Sequence, residues 1–204
     1  YKRQDHEACI VTCHGLFGSK DSPKYIELAE ELCRLGFSVF RFDFRKGENI
    51  VATLTQRIED SREAIDFLKD LGYEKIGMMG SSLGGCVAIL TSVQEDSVES
   101  VVTWATPSKF KGILQAEGLE ELKRDVQRYD VIDSVRELDR PILIVHGSED
   151  ELVPVTHAYE LFENARAPKE LLIVGGADHR FTDEWKRRKA VDKTVEWFGK
   201  YVKS

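Results

Sequence analysis

Short, continuously apolar runs alternate along this chain with longer segments whose apolar residues recur at helical spacing. Six runs predict strands, at residues 8–13, 37–42, 75–79, 101–104, 141–145 and 170–174. Five segments predict helices, at residues 23–35, 53–71, 83–93, 155–164 and 182–201. Runs without polar alternation are typical of strands covered on both faces. The alternation therefore predicts right-handed crossovers and a three-layer α/β sandwich around a mostly parallel sheet.

Residues 107–140 break this alternation, because they separate two apolar runs by more chain than one crossover helix needs. The stretches KFKGIL at 109–114 and EGLEEL at 117–122 have the spacing of short amphipathic helices. We therefore expect a small helical cap inserted at 107–140. Because 204 residues suffice for one sizeable core and are few for two, we expect a single domain over residues 1–204.

The charge balance argues against a nucleic-acid partner or an anionic lipid surface. Lys and Arg number 29 and Asp and Glu 36, which gives a net charge of −7, whereas such partners attract basic surfaces. No apolar run approaches the roughly 18 residues of a membrane span, and residues 1–6 lack the apolar core of a secretion signal. The four cysteines contain no CxxC pair and no zinc-binding spacing. We expect a cytoplasmic protein without a metal site.

A serine at a sharp turn is the strongest chemical signal in the sequence. GSSLG at 80–84 directly follows the apolar run 75–79 and opens a predicted helix. This is G-x-S-x-G in the strand–turn–helix context that exposes a nucleophilic serine, and larger side chains at its two glycines would collide. Ser82 is the predicted nucleophile, since the competing Ser81 lacks glycines two residues to either side. The Leu83 N–H, at the positive end of the helix, is one predicted oxyanion donor.

The loop after the first strand is expected to supply a second oxyanion donor. It reads HGLFGS at 14–19, and Gly15 lets the backbone approach the nucleophile closely. We expect the Leu16 N–H to donate, with the Phe17 N–H as the nearby alternative. We expect His14 to hold the loop by hydrogen bonds.

A serine hydroxyl needs a base, and the base needs an orienting carboxylate. Asp150, in GSEDELVP at 147–154, follows the fifth apolar run and is the predicted acid, with Glu149 as its competitor. His179, in GADHRF at 176–181, follows the last run and is the predicted base. Nucleophile, acid and base then lie at the carboxyl ends of different parallel strands, where open α/β sheets hold their sites. Three other histidines fit a base less well: His6, His146 and His157.

With these residues in hand, the sequence resembles the α/β-hydrolase family over nearly its whole length. The four motifs above stand in the family's order, and FDFRKG at 42–47 is similar to its D-x-R-G turn, with Lys46 where glycine is common. The nearest resemblance is to small serine esterases of the feruloyl or cinnamoyl esterase and acylaminoacyl-peptidase-like branch. It implies a modest cap and no cofactor.

One departure from the family concerns the start of the sheet. The family's sheet usually begins with an antiparallel hairpin before the HG strand, and residues 1–7 leave no room for it. The resemblance then implies six strands in the order 4-3-5-6-7-8 of the family's numbering, with one exposed edge. Because exposed edges pair readily, we expect this edge, or the cap, to support a homodimer.

The function predicted from these residues is hydrolysis of small-molecule carboxylic esters through an acyl-enzyme. Ser82 attacks, His179 takes and returns the proton, Asp150 holds the imidazole, and no metal or cofactor is required. Arg45, Lys109 and Arg180 are candidates for reading a charge on the substrate. Three apolar residues are expected to line the substrate pocket: Phe17, Trp104 and Phe110.

Two alternatives stay open from the sequence. A serine peptidase or a thioesterase would use the same triad, so the residues do not separate these activities. A hydrolase scaffold that binds a ligand without turnover is the second alternative. A nucleotide-binding protein is excluded, because GSSLGG at 80–85 has no P-loop lysine and no GxGxxG follows the first strand.

Overall fold

A single sheet of six strands organises the computed structural model, which describes residues 8–46, 51–166 and 168–202. The strands are β1 (Ala8–Cys13), β2 (Ser38–Arg41), β3 (Lys75–Ser81), β4 (Val98–Trp104), β5 (Ile142–Gly147) and β6 (Lys169–Val174). The helices are α1 (Pro23–Arg34), α2 (Leu54–Asp70), α3 (Leu83–Ser92), α4 (Glu120–Asp125), α5 (Val131–Glu137), α6 (Thr156–Asn164) and α7 (Glu184–Tyr201). A short 3-10 helix at Val126–Arg128 joins α4 to α5.

The strand order is β2-β1-β3-β4-β5-β6, and every neighbouring pair is parallel. This is the order that the family resemblance implies, and the predicted fold class is confirmed. All carboxyl ends consequently meet at one edge of the sheet. Two parts of the predictions lie outside the described residues: residues 1–7, on which the expected absence of the hairpin depends, and Gly47, the last residue of the FDFRKG stretch.

Helices cover both faces of the sheet and form two apolar cores. One face packs against α2, α3, α5 and α6, with α3 buried along its whole length. The other packs against α1 and α7, through residues such as Leu28 and Phe198. The four inner strands β1, β3, β4 and β5 are buried along nearly their whole length between these layers, which is why their sequences read as continuous apolar runs, whereas the edge strands β2 and β6 are largely half-buried.

The segment between β4 and β5 contains α4, the 3-10 helix and α5 rather than one crossover helix. The expected helix at 109–114 is absent: this stretch forms turns, and Gly112 takes a φ of 83° that ends any helical course there. The second expected helix begins only at Glu120. The Asp125 carboxylate accepts hydrogen bonds from the Thr55 N–H at 2.8 Å and the Thr55 hydroxyl at 2.7 Å, which ties the segment to α2.

Candidate active site

Ser82 is the single residue between the end of β3 and the start of α3, and it has a strained backbone conformation with φ 56° and ψ −127°. The two flanking glycines make this turn possible. A Cβ at Gly80 would lie 2.0 Å from the Gly84 carbonyl oxygen, and a Cβ at Gly84 would lie 2.1 Å from the Cys13 carbonyl oxygen. Both contacts are with backbone, which cannot move aside, so the glycine spacing of the turn has a steric cause.

Asp150 and His179 form the closest carboxylate–imidazole pair at this edge of the sheet. The His179 Nδ1 atom lies 2.8 Å from Asp150 Oδ2 and 3.0 Å from Oδ1. Nδ1 therefore carries the proton and donates it to the carboxylate, which leaves Nε2 as the basic nitrogen. Glu149, the competing acid, makes no such contact with His179 among the described residues.

The Asp150 carboxylate is fully buried and satisfied by four donors. The N–H groups of Leu152 and Val153 donate to Oδ1 at 3.0 and 2.7 Å. Burial by itself raises the pKa of this carboxyl, but hydrogen bonds from His146, His179 and the Val153 N–H outweigh it and hold the pKa well below its usual range. Asp150 is therefore ionised at neutral pH and able to orient an imidazole.

His146 is a second histidine on this carboxylate, and sequence reasoning had set it aside. It lies in β5 with no exposed surface, and its Nε2 is 3.1 Å from Asp150 Oδ2 and 2.8 Å from the Val153 carbonyl oxygen. Because both neighbours are acceptors, Nε2 must carry the proton. Its Nδ1 is buried without a hydrogen-bond partner among the described residues. The i, i+4 spacing of His146 and Asp150 across a strand end was the available signal.

Ser82 and His179 line one cavity of about 670 Å³. Leu16 and Leu83, the predicted oxyanion donors, border the same cavity. As the first residue of α3, Leu83 has no acceptor for its N–H within the helix. The backbone at Gly15 comes so close that a Cβ there would lie 3.1 Å from the Ser82 Cβ, which brings the loop that contains Leu16 against Ser82.

His14 holds this loop, as the sequence predicts. Its Nδ1 lies 2.8 Å from the Gly15 carbonyl oxygen, and its Nε2 accepts from the Phe44 N–H at 3.2 Å. Arg57, which sequence reasoning missed, is buried behind the loop and donates to the His14 carbonyl oxygen at 3.4 Å. Burial lowers the pKa of Arg57 to about 10, so it remains a cation beneath the loop.

Two of the three predicted pocket residues line the cavity. Phe17, 62% exposed and at a positive φ of 54°, borders it from the loop, and Phe110 borders it from the segment between β4 and β5. Trp104 is a correction, since it is wholly buried and does not line the cavity. Its indole N–H donates to the Thr194 hydroxyl at 3.0 Å, because the end of β4 turns this side chain toward α7.

The three cations proposed to read a substrate charge lie in different places. Arg45 forms ion pairs with Asp60 and with other carboxylates of α2. Lys109 pairs with Glu160 at 3.4 Å and borders a separate cavity of about 550 Å³. Arg180 alone lines the cavity that contains Ser82.

The parallel six-stranded sheet with helices on both faces, and Ser82, Asp150 and His179 at one edge of it, agree with the α/β-hydrolase class of serine hydrolases, and the chain is of that class. The model of the prolyl oligopeptidase family matches residues 52–204. This chain belongs to the prolyl oligopeptidase family.

Solved structures share the fold at low sequence identity. The esterase domain of a Rhodothermus marinus protein is 23% identical with a TM-score of 0.81, covering 97% of this chain and 89% of that chain. Est1E of Butyrivibrio proteoclasticus with bound ferulic acid is 21% identical with a TM-score of 0.82, covering 97% of this chain and 93% of that chain.

Curated relatives are longer than this chain. An uncharacterized protein of Mycobacterium tuberculosis is 30% identical over 176 residues, which cover 83% of this chain and 62% of the relative. The uncharacterized protein YfhR of Escherichia coli strain K12 is 24% identical over 183 residues, covering 84% of this chain and 63% of the relative. The chain thus spans about three fifths of the length of these relatives.

Among the described residues, none of the helices combines the length and the apolar character that crossing a bilayer requires. Residues 8–46, 51–166 and 168–202 contain no cluster of three or more His, Cys, Asp or Glu side chains that could hold a metal ion.

Proposed function

We propose that this protein hydrolyses carboxylic esters of small molecules through an acyl-enzyme on Ser82. One observation carries the proposal: the His179–Asp150 hydrogen bond of 2.8 Å stands at the wall of the cavity that also holds the strained Ser82. A volume of about 670 Å³ lies within the range of small-molecule sites. Esterase structures share the fold at high TM-score.

In the proposed reaction, the Ser82 Oγ attacks the ester carbonyl carbon while His179 Nε2 takes the hydroxyl proton. The carbonyl oxygen becomes an oxyanion that accepts hydrogen bonds from the N–H groups of Leu16 and Leu83. Collapse of this intermediate breaks the ester bond, and His179 gives its proton to the leaving alkoxide. Water then attacks the acyl-enzyme by the same steps, releasing the acid and restoring Ser82.

A serine peptidase is the second candidate function, and membership of the prolyl oligopeptidase family favours it. The same nucleophile, base and oxyanion donors would cleave an amide bond, with His179 protonating the leaving amine. Parallel kinetics on matched ester, thioester and peptide substrates separate these activities by the ratio of their kcat/KM values.

Intact-mass measurement after exposure to a fluorophosphonate tests the proposal, because this probe reports an activated serine without assuming a substrate. We expect one label per chain in the wild type and none in Ser82→Ala or His179→Ala. Ser81→Ala is the matched control, since it removes the neighbouring hydroxyl, and its label should stay on Ser82. A wild type that takes no label would contradict the proposal and favour a scaffold that binds without turnover.

A further inference from the structure

A lysine that sequence reasoning missed lies in the wall of the proposed active-site cavity. Lys24, near the start of α1, borders the cavity, and its Nζ donates a hydrogen bond to the Ser81 hydroxyl at 2.9 Å. The ammonium lies 6.0 Å from the ring centroid of Trp104 and 5.9 Å from that of Phe181. Since Ser81 precedes Ser82 in the chain, this cation stands beside the nucleophile.

Lys24 has no carboxylate partner of its own. Among the described residues its ammonium forms no ion pair, and the Ser81 hydroxyl is its hydrogen-bond partner. An ammonium has three donor hydrogens, so two remain for a ligand. The surrounding protein disfavours the charge: burial lowers the pKa of Lys24 to about 8, and the more distant carboxylates of Asp178 and Asp150 offset only part of this effect.

The cavity wall around Lys24 is positive. Arg180 and Arg187 border the same cavity, and the charge of each lowers the pKa of Lys24 further. Arg187 is neutralised by Glu27 at 2.6 Å, whereas Arg180 forms no ion pair within the described part of the chain. None of the described residues that border this cavity is acidic. Although the whole chain has a net charge of −7, the cavity that contains Ser82 is therefore bordered by two cations without an ion-pair partner among the described residues, Lys24 and Arg180.

We propose that the cavity takes esters that carry a carboxylate close to the scissile bond, and that Lys24 and Arg180 bind this carboxylate. The inference rests on the proposed function, because it names the substrate class of the same site. A carboxylate would complete the hydrogen bonding of the Lys24 ammonium and neutralise Arg180. The desolvated Lys24 ammonium binds an anion more strongly than a surface lysine already engaged in an ion pair does, and the exposed Arg180 has no ion-pair partner within the described part of the chain.

Paired substrates that differ only in one charge test the inference. The first pair is para-nitrophenyl hemiglutarate and its neutral methyl ester, with the carboxylate on the acid part. The second is meta-acetoxybenzoate and its methyl ester, with the carboxylate on the alcohol part. We expect kcat/KM for the anionic member of at least one pair to exceed that for its neutral partner by about tenfold to a hundredfold, as for a hydrogen bond to a charged group. No anionic preference in either pair would overturn the inference.

Three variants assign this preference to residues. Lys24→Met and Arg180→Gln should each reduce the anionic-to-neutral ratio by about tenfold. Lys109→Met is the matched control, because that lysine borders the other cavity, and its ratio should equal the wild-type ratio. Arg180 is exposed, so its variant decides the question even where Lys24→Met fails to fold. An unchanged ratio in Arg180→Gln and Lys24→Met would overturn the assignment.

The pH dependence of the anionic-to-neutral ratio of kcat/KM tests the charge of Lys24 directly. A purely structural role of Lys24 would not make this ratio depend on pH. The charged groups that act on Lys24 are Asp178 and Arg180 after β6, Asp150 after β5 and Arg187 on α7. The ammonium is protonated below its pKa of about 8 and neutral above it, so the preference should decline as the pH rises through about 8. Lys24→Arg should keep the preference constant over that range.

A binding measurement distinguishes failure of this inference from failure of the proposed function. Wild type that hydrolyses the neutral esters without anionic preference would overturn the inference and leave the proposed function intact. If no ester is hydrolysed, calorimetric titration of glutarate into Ser82→Ala decides the binding site by itself. Binding that Arg180→Gln weakens would support the site, and the absence of binding would overturn it.

Discussion

The Asp150 carboxylate lies between two histidines that differ in exposure. His179 borders the cavity, whereas His146 is enclosed in β5 and does not border it, although its Nε2 lies 3.1 Å from the carboxylate oxygen that His179 also approaches. One carboxylate oxygen, Oδ2, therefore receives both imidazoles. We predict that His146 positions Asp150, because it contacts the carboxylate without bordering the cavity.

We predict that His146→Phe, which fills the space but removes the donor, lowers kcat for ester hydrolysis by about tenfold with KM nearly unchanged. A hydrogen bond to a charged group contributes about 1.5–3 kcal/mol, and we expect only part of this free energy to affect the rate, through the orientation of His179 by Asp150. His146→Gln, which restores a donor, should recover part of the rate. Steady-state kinetics with a neutral aryl ester measure both. Equal kcat values in the Phe variant and the wild type would show that Asp150 needs no second histidine.

Residues of the candidate site were predictable from the sequence where the chemistry is local. GSSLG places a strained serine, its glycines and a helix N-terminus within five consecutive residues, and the structure has them in that form. Lys24 and Arg57 could not be found this way, because their neighbours at the site come from distant positions in the chain. Trp104 was placed wrongly, since a residue at a strand end can turn to either face of the sheet.

At the scale of elements, α3 is completely enclosed by the rest of the fold. All ten of its residues are buried, and its first turn lies against the carboxyl end of β1. The helix signals were predictable where glycine stops α1 and α2, at Gly36 and Gly72 with φ of 92° and 87°. The structure of the segment 107–140 was not predictable from its own sequence, because its turns depend on contacts with α2 and α3 rather than on its periodicity.

We predict opposite effects from two Gly→Ala substitutions within helices. Gly84→Ala in α3 should lower the free energy of unfolding by about 1–3 kcal/mol, because the new Cβ meets the β1 backbone at 2.1 Å. Gly199→Ala in α7 has no atom within 4 Å of the new Cβ and should raise that free energy by about 0.5–1 kcal/mol. Urea denaturation followed by circular dichroism measures both. Equal stabilities of the two variants would contradict the steric account of the nucleophile turn.

At the scale of the whole molecule, we propose a single domain with the cap at 107–140, since one sheet carries both apolar cores. Within the described residues, β2 forms one edge of that sheet and is only four residues long. Its outer backbone groups face no other described strand.

We predict that this edge supports a homodimer, because unpaired N–H and C=O groups of a strand can pair with a second copy. Static light scattering over a wide range of concentrations should show a mass rising from that of one chain toward that of two. The short length of β2 predicts weak association. A mass that stays at one chain at every concentration would contradict the dimer.

The segment between β4 and β5 has a consequence for how such a protein can diversify. The two strands it connects are neighbours in register, with Val101 opposite Ile142, so its length and sequence can change without shifting Ser82, Asp150 or His179. The entropy of closing a loop grows only slowly with its length. Mutations in this segment can therefore change the part of the cavity wall that it forms while Ser82, Asp150 and His179 keep their positions. Substrate preference could then evolve separately from the proposed reaction.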